Sequence, residues 1–135
     1  MAILLDTSFL IALNNERDVH HPAAKTLWPE IEKEIYGKYF ISDHIFDEIV
    51  AVTMRKAGKE RAKLLGHHLL QSVPLINLDT HLFEETWKLF TQIKQNLSFT
   101  DCSNLILLQL INSNKIATFD KTFREIKNLE VLGKN

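Results

Sequence analysis

The sequence predicts an α/β protein: a three-layer α/β/α sandwich with a mainly parallel central sheet of about five strands. Two observations carry this. Short apolar, β-prone runs recur along the chain, and a helical pattern of apolar residues separates each from the next. Parallel neighbours need such helical crossovers, whereas antiparallel ones can be joined by tight turns. A third observation bounds the answer: 135 residues is close to the commonest size of a single domain, and neither a repeat nor a linker interrupts it.

Residues 2–5 (AILL) form an unbroken apolar run ending at Asp6, which reads as a buried strand. The stretch FLIALNN follows as a helix, with Thr7 or Ser8 placed to cap it. From Pro22 to Tyr36 the residues Ala24, Leu27, Trp28, Ile31 and Ile35 recur at helical spacing, and Gly37 follows as a stop. Tyr39 to Ile41 is the next strand.

Ser42 and Asp43 offer cap oxygens to a helix running to about Ala57, with Gly58 ending it. A basic helix over roughly Glu60 to Gln71 precedes a strand in Val73 to Leu78. Thr80 to Gln95 reads as an amphipathic helix built on Leu82, Phe83, Trp87 and Phe90, and Leu97 to Ser113 as a largely apolar one. Ile116 to Phe119 is a short strand stopping at Asp120, and Leu129 to Leu132 is the last.

The composition excludes several classes. A hydrophobic fraction of 45% and a charged fraction of 24% are globular values, without the bias of a disordered chain. The longest apolar run, Leu105 to Ile111, is broken by Gln109 and is too short to span a bilayer, and no basic residue precedes the apolar N-terminal segment as in a secretory signal. The one cysteine, Cys102, makes neither an internal disulfide nor a thiolate-rich zinc site, which fits a reducing, cytoplasmic location. A net charge of −1 is silent on nucleic acid, because a polyanion binder needs only one basic surface.

Four acids stand where an α/β sheet gathers ligands. Asp6 and Asp120 each follow a strand, at the carboxyl end where crevices form. Glu48 borders the Ile45, Ile49 and Val52 face of its helix, where a carboxylate needs a partner: Arg55 seven residues on, or a shared metal ion. Asp101 lies in a first helical turn, where Ser98 offers a capping box as the structural explanation. If the four converge, their mutual repulsion calls for a cation, and an oxygen-only set selects a hard one such as Mg2+ or Mn2+. Such an ion suits phosphodiester hydrolysis, with one carboxylate open to act as general base.

The spelling around these acids resembles the PIN-domain family, in particular the VapC-like toxins of bacterial and archaeal toxin–antitoxin pairs. LLDTSFLIAL, the stretch from Ser42-Asp43 to Glu48, FTDCSNLIL and IATFDKTF resemble its acid-bearing segments in the family's order. The resemblance covers nearly the whole chain and implies one PIN-like domain over residues 1–135. It further implies that Asp6, Glu48, Asp101 and Asp120 are both metal-binding and catalytic, and that the activity is that of a metal-dependent endoribonuclease. RNA substrate, a cognate antitoxin and a homodimer follow as expected partners. Thr7, Ser8 and Thr118 are expected to orient carboxylates or waters through their hydroxyls, with capping an equal use for Ser8. The family often carries small apolar residues after the third acid, and this chain has Cys102, Ser103 and Asn104; Asn104 reads first as exposed and second as reaching metal waters.

Other features read first as structure. The adjacent pairs His20-His21 and His67-His68 point apart and suit a surface better than zinc. Arg55, Lys56 and Lys59, in a run continued by Arg61 and Lys63, offer grips on RNA phosphates, though a solvated helix face is the first explanation for them. Trp28, Trp87, Phe83 and Phe90 read as core rather than base-stacking groups. Two alternative functions remain open: a non-catalytic PIN-like binding module, and a receiver-type phosphoacceptor using Asp79, although a receiver wants paired acids after the first strand and Asp6 is followed by Thr7.

Overall fold

The computed structural model describes residues 1–133. Five strands, β1 (Ala2–Leu5), β2 (Lys38–Ser42), β3 (Leu75–Ile76), β4 (Lys115–Ala117) and β5 (Glu130–Leu132), form one sheet in the order β3-β2-β1-β4-β5. Every pairing is parallel, with Ile3 opposite Tyr39, Leu4 opposite Ile116 and Ile116 opposite Val131. Six α-helices connect them: α1 (Thr7–Asn14), α2 (His21–Glu32), α3 (Asp43–Ala57), α4 (Lys59–Ser72), α5 (Thr80–Gln92) and α6 (Phe99–Leu110). The α/β/α architecture expected from the alternation is the one observed.

The central strand β1 is buried along its whole length, as a strand covered by helices on both faces must be. Ile3, Leu4 and Leu5 pack with Phe9, Ile41, Ile45, Ile49, Leu107, Ile116 and Phe123 in the core. The strand order then places the site. The chain winds from β1 outward through β2 and β3, then returns to the other side of β1 as β4 and β5. The reversal leaves a crevice beyond the carboxyl ends of β1 and β4, which is where such sheets bind ligands. A receiver-type sheet has the order 2-1-3-4-5, so this topology removes the phosphoacceptor reading. Asp79 accordingly does local work: its Oδ1 accepts from the backbone N–H of Leu82 at 2.9 Å and caps α5.

Several expected boundaries shift. The helix expected to reach Tyr36 ends at Glu32, because the chain turns through Glu34 at positive φ (58°) and then Gly37 at φ 88°. A side chain at Gly37 would run into the carbonyl of Met1, so the stop is steric as well as conformational. Ile35 consequently leaves the apolar face and is exposed. The strand expected over Val73 to Leu78 shrinks to Leu75–Ile76, an edge whose preceding Pro74 contributes a carbonyl to Ile41 N–H at 3.1 Å but has no N–H of its own. The helices expected to end at Gln95 and Ser113 end at Gln92 and Leu110.

Two expectations about side chains fail. Thr7 and Ser8 lie inside α1 rather than capping it; Asp6 holds the cap position, and its carboxylate is engaged elsewhere. Trp28 does pack, edge-on to Tyr39, but Phe83, Trp87 and Phe90 are exposed, because α5 turns Leu82 and Thr86 to the interior instead. No helix among the described residues is long and apolar enough to cross a membrane.

Candidate active site

Asp6 is the anchor of the crevice. It is 4% exposed at the end of β1, and its backbone N–H still follows the sheet, donating to Ala117 O at 3.0 Å. Three side chains donate to its carboxylate. Thr118 Oγ1 reaches Oδ2 at 2.7 Å, Ser8 Oγ reaches the same oxygen at 3.3 Å, and Asn104 Nδ2 reaches Oδ1 at 3.1 Å. These come from α1, α6 and the residue after β4, so three separate parts of the chain meet on one carboxylate.

Thr118 also ties the second strand-end acid to the first. While donating to Asp6, its oxygen accepts the backbone N–H of Asp120 at 3.0 Å, and Ser8 Oγ accepts that of Phe119 at 3.0 Å. Ser8 and Thr118 thus each contact the Asp6 carboxylate and a backbone N–H of the segment that carries Asp120. The buried hydroxyl of Thr7 has no hydrogen-bond partner among the described residues, and neither does Asn104 Oδ1.

Asn104 was read from sequence as exposed, and the structure corrects this to fully buried. The signal was available. Residues 104, 107 and 108 fall on one stripe of α6, so Asn104 shares the face of buried Leu107 and Leu108, and a buried amide needs a partner.

Asp101 and Asp120 each hold a helix start. Asp101 Oδ2 accepts the N–H of Ser98 at 3.0 Å while Ser98 Oγ accepts that of Asp101 at 3.1 Å, the capping box expected from sequence. Asp120 Oδ1 accepts Thr122 N–H at 2.9 Å, capping the short 3-10 helix Lys121–Glu125. Glu48, half-buried on α3, makes no hydrogen bond or ion pair among the described residues. Arg55, one of the two partners the sequence offers it, is exposed and makes no ion pair with it.

Electrostatics show that the four acids share one neighbourhood. Burial pushes Asp6 up from 3.8 to about 6, against the lowering effect of its Thr118 hydrogen bond, and the charges of Asp101 and Glu48 push it further. Burial likewise raises Asp101, with the Ser98 bonds opposing and Asp120 and Glu48 adding to the rise. Among the described residues, however, no three Asp, Glu, His or Cys side chains stand close enough to enclose a metal ion as they lie. The donor set nevertheless fits a hard cation. It is all oxygen and carries an uncompensated buried charge, and two buried oxygens without partners, Thr7 Oγ1 and Asn104 Oδ1, belong to residues that touch Asp6 through the chain or through a hydrogen bond.

The expected basic residues are all exposed, but they part company. Lys56 joins Arg17 and Arg61 around a cleft of about 850 Å3 floored by Ile49 and Val52, whereas Lys59 borders a separate apolar groove by Phe46 and Gly66. Of the histidine pairs, His20 stacks on Phe119 with ring centres 4.5 Å apart, and His21 Nδ1 meets Ala12 O at 2.7 Å.

The PIN domain family model matches residues 3–129. The 23S rRNA-specific endonuclease VapC20 of Mycobacterium tuberculosis is 26% identical over 131 residues, covering 96% of this chain and 97% of that protein. The crystal structure of VapC20, described as a sarcin–ricin loop cleaving toxin, superposes with a TM-score of 0.80 at 24% identity over 90% of this chain and 92% of that one. VapBC2 from Rickettsia felis, solved bound to a fragment of its promoter DNA, superposes with a TM-score of 0.73 at 16% identity, covering 97% of each chain.

Proposed function

The chain belongs to the PIN-domain family, and from that premise we propose that it is a divalent-metal-dependent endoribonuclease, the toxin of a toxin–antitoxin pair. The observation that carries the proposal is Asp6: a buried carboxylate held by three side-chain donors, facing other acids rather than a Lys or Arg, with its pKa raised to about 6. A protein maintains such an arrangement at a cost in stability, which a ligand of opposite charge would offset. The 23S rRNA-specific endonuclease it resembles over 96% of its length supports RNA as the substrate. Relatives solved as toxin–antitoxin complexes support a cognate antitoxin, and with it a cytoplasmic setting. A homodimer remains part of the proposal.

Asp6, Glu48, Asp101 and Asp120 would hold Mg2+ or Mn2+. With a divalent ion there, the chemistry supplied is activation of water for in-line attack on phosphorus and screening of charge on the leaving oxygen. The chain's own part is positioning. Asn104, Thr118 and Ser8 fix the Asp6 carboxylate, and Thr118 keeps Asp120 in register with it. Glu48, without a hydrogen bond or ion pair among the described residues, keeps both oxygens available for the ion or for its water. Purified protein with Mn2+ or Mg2+ should cleave structured RNA, EDTA should stop the reaction, and Asp6→Asn should abolish it. Cleavage unchanged in that variant would sink the assignment.

A further inference from the structure

The exposed large hydrophobic residues divide by chemistry. On α3 and α4 they are aliphatic: Met54, Leu64 and Leu70. On α5 they are all aromatic: Phe83 and Trp87 are 48% and 55% exposed, and Phe90 is 38% exposed. The spacing of 83, 87 and 90 puts the rings on one face of the helix. They do not stand alone. Phe83 meets Phe99 at 4.9 Å between ring centres, Phe90 meets Phe99 at 6.4 Å and Trp87 at 5.7 Å, and His44 meets Phe83 at 6.4 Å and Phe99 at 6.0 Å.

This continuous shelf of rings leads into the acids. Phe99 lies two residues before Asp101 in the first turn of α6, and His44 lies four residues, about 6 Å of rise, before Glu48 on α3. The imidazole nitrogens of His44 make no hydrogen bond among the described residues, so the ring is held by its carbon surface with its polar edge unspent. A polyanion approaching four carboxylates is repelled by its phosphates. A bound ion offsets that repulsion at the phosphate it meets, and beyond its reach affinity beside the acids comes best from a part of the substrate that carries no charge, which in RNA is the base.

We infer that the His44, Phe83, Trp87, Phe90 and Phe99 shelf is a base-stacking subsite, which seats unpaired nucleotides next to the phosphate to be cleaved. The inference rests on the ribonuclease reading and deepens it: the substrate segment is a loop or single strand, whose splayed bases stack on aromatic faces, rather than continuous duplex. Aliphatic surface would serve a protein partner equally well. Flat rings with a polar-edged imidazole and indole at the mouth of an acid site serve a base better.

The test uses full-length protein carrying Asp6→Asn, so that RNA survives the measurement, and fluorescence anisotropy with a labelled single-stranded RNA and its abasic counterpart. Trp87→Leu, which keeps the surface apolar but removes the ring, should weaken binding of the base-bearing strand about tenfold, within the range of one lost base–aromatic stack. Trp87→Phe should restore most of it. The abasic strand should be indifferent to all three residues, and the salt dependence should stay constant because no phosphate contact is lost. Equal binding by the Leu variant, equal sensitivity with the abasic strand, or no measurable binding to either strand overturns the subsite. Loss of a dimer in Trp87→Leu by sedimentation, with RNA binding unchanged, assigns the face to a second copy instead. Metal-dependent cleavage by the parent protein separates the two claims: if it persists while the shelf fails, the ribonuclease reading stands alone.

Discussion

Thr118 is the residue on which two acids depend, and its hydroxyl is used in both directions. It gives its proton to Asp6 Oδ2 and accepts the N–H of Asp120, so Thr118→Val would leave a buried carboxylate and a backbone donor short of a partner each. The expected result is a stability loss of roughly 1–3 kcal/mol together with a fall in kcat, both recovered by Thr118→Ser, as read by chemical denaturation and cleavage rates. The same carboxylate sets a pH dependence. Asp6 titrates near 3.8 when unfolded and at about 6 when folded, so the folded state binds its proton more tightly. Without metal, stability from this group is full below 3.8, declines as pH rises to about 6 and is constant above, a total of about 3 kcal/mol. Asp6→Asn removes that dependence, so its stability relative to the parent should climb between pH 4 and 6 in metal-free buffer. A gap that stays flat over that range would mean that Asp6 keeps an ordinary pKa.

Among the elements, α6 shows best what could be read in advance. The pattern S-x-x-D at Ser98 and Asp101 announced a capping box, and the structure forms it. Removing it by Ser98→Ala should cost about 1 kcal/mol, in the range of a lost N-cap, measurable as a lower urea midpoint with unchanged slope. The same substitution takes away the Ser98 hydroxyl but leaves its backbone N–H on Asp101 Oδ2, so that carboxyl should titrate only slightly higher. What α6 hid was the burial of Asn104, because polarity was weighed ahead of its place on the Leu107 and Leu108 stripe. Helix α5 erred the other way. Its apolar spacing located the helix correctly, but spacing cannot say whether a face meets the sheet or solvent, and Leu82 and Thr86 took the interior that the rings were expected to fill. Strand β3 was overestimated because periodicity cannot see that an edge strand pairs on one side only.

At the scale of the molecule, the sheet order is what brings Asp6 and Asp120 to one crevice. Alternation along the chain implies parallel strands but does not distinguish the order 3-2-1-4-5 from 2-1-3-4-5; only the first sets β1 beside β4, and so Asp6 beside Thr118 and Asp120. The fold thereby holds like charges together in a crevice, and that is a testable strain on the whole structure. Any divalent ion that binds the folded chain and not the unfolded one stabilises it by mass action, about 2.7 kcal/mol at a hundredfold excess over Kd. For a chain of this length that corresponds to a rise in Tm on the order of 5–10 °C in millimolar Mg2+ or Mn2+. The ion must compete with the proton on Asp6, so the rise should be small at pH 5, below the folded pKa of about 6, and approach its full value above pH 7. Glu48→Gln should reduce it at every pH by removing one negative charge from the cluster. A Tm indifferent to both ions at pH 7.5 would mean that the crevice does not bind metal as a unit, and Asp101 and Asp120 would then be the helix caps that their hydrogen bonds already make them.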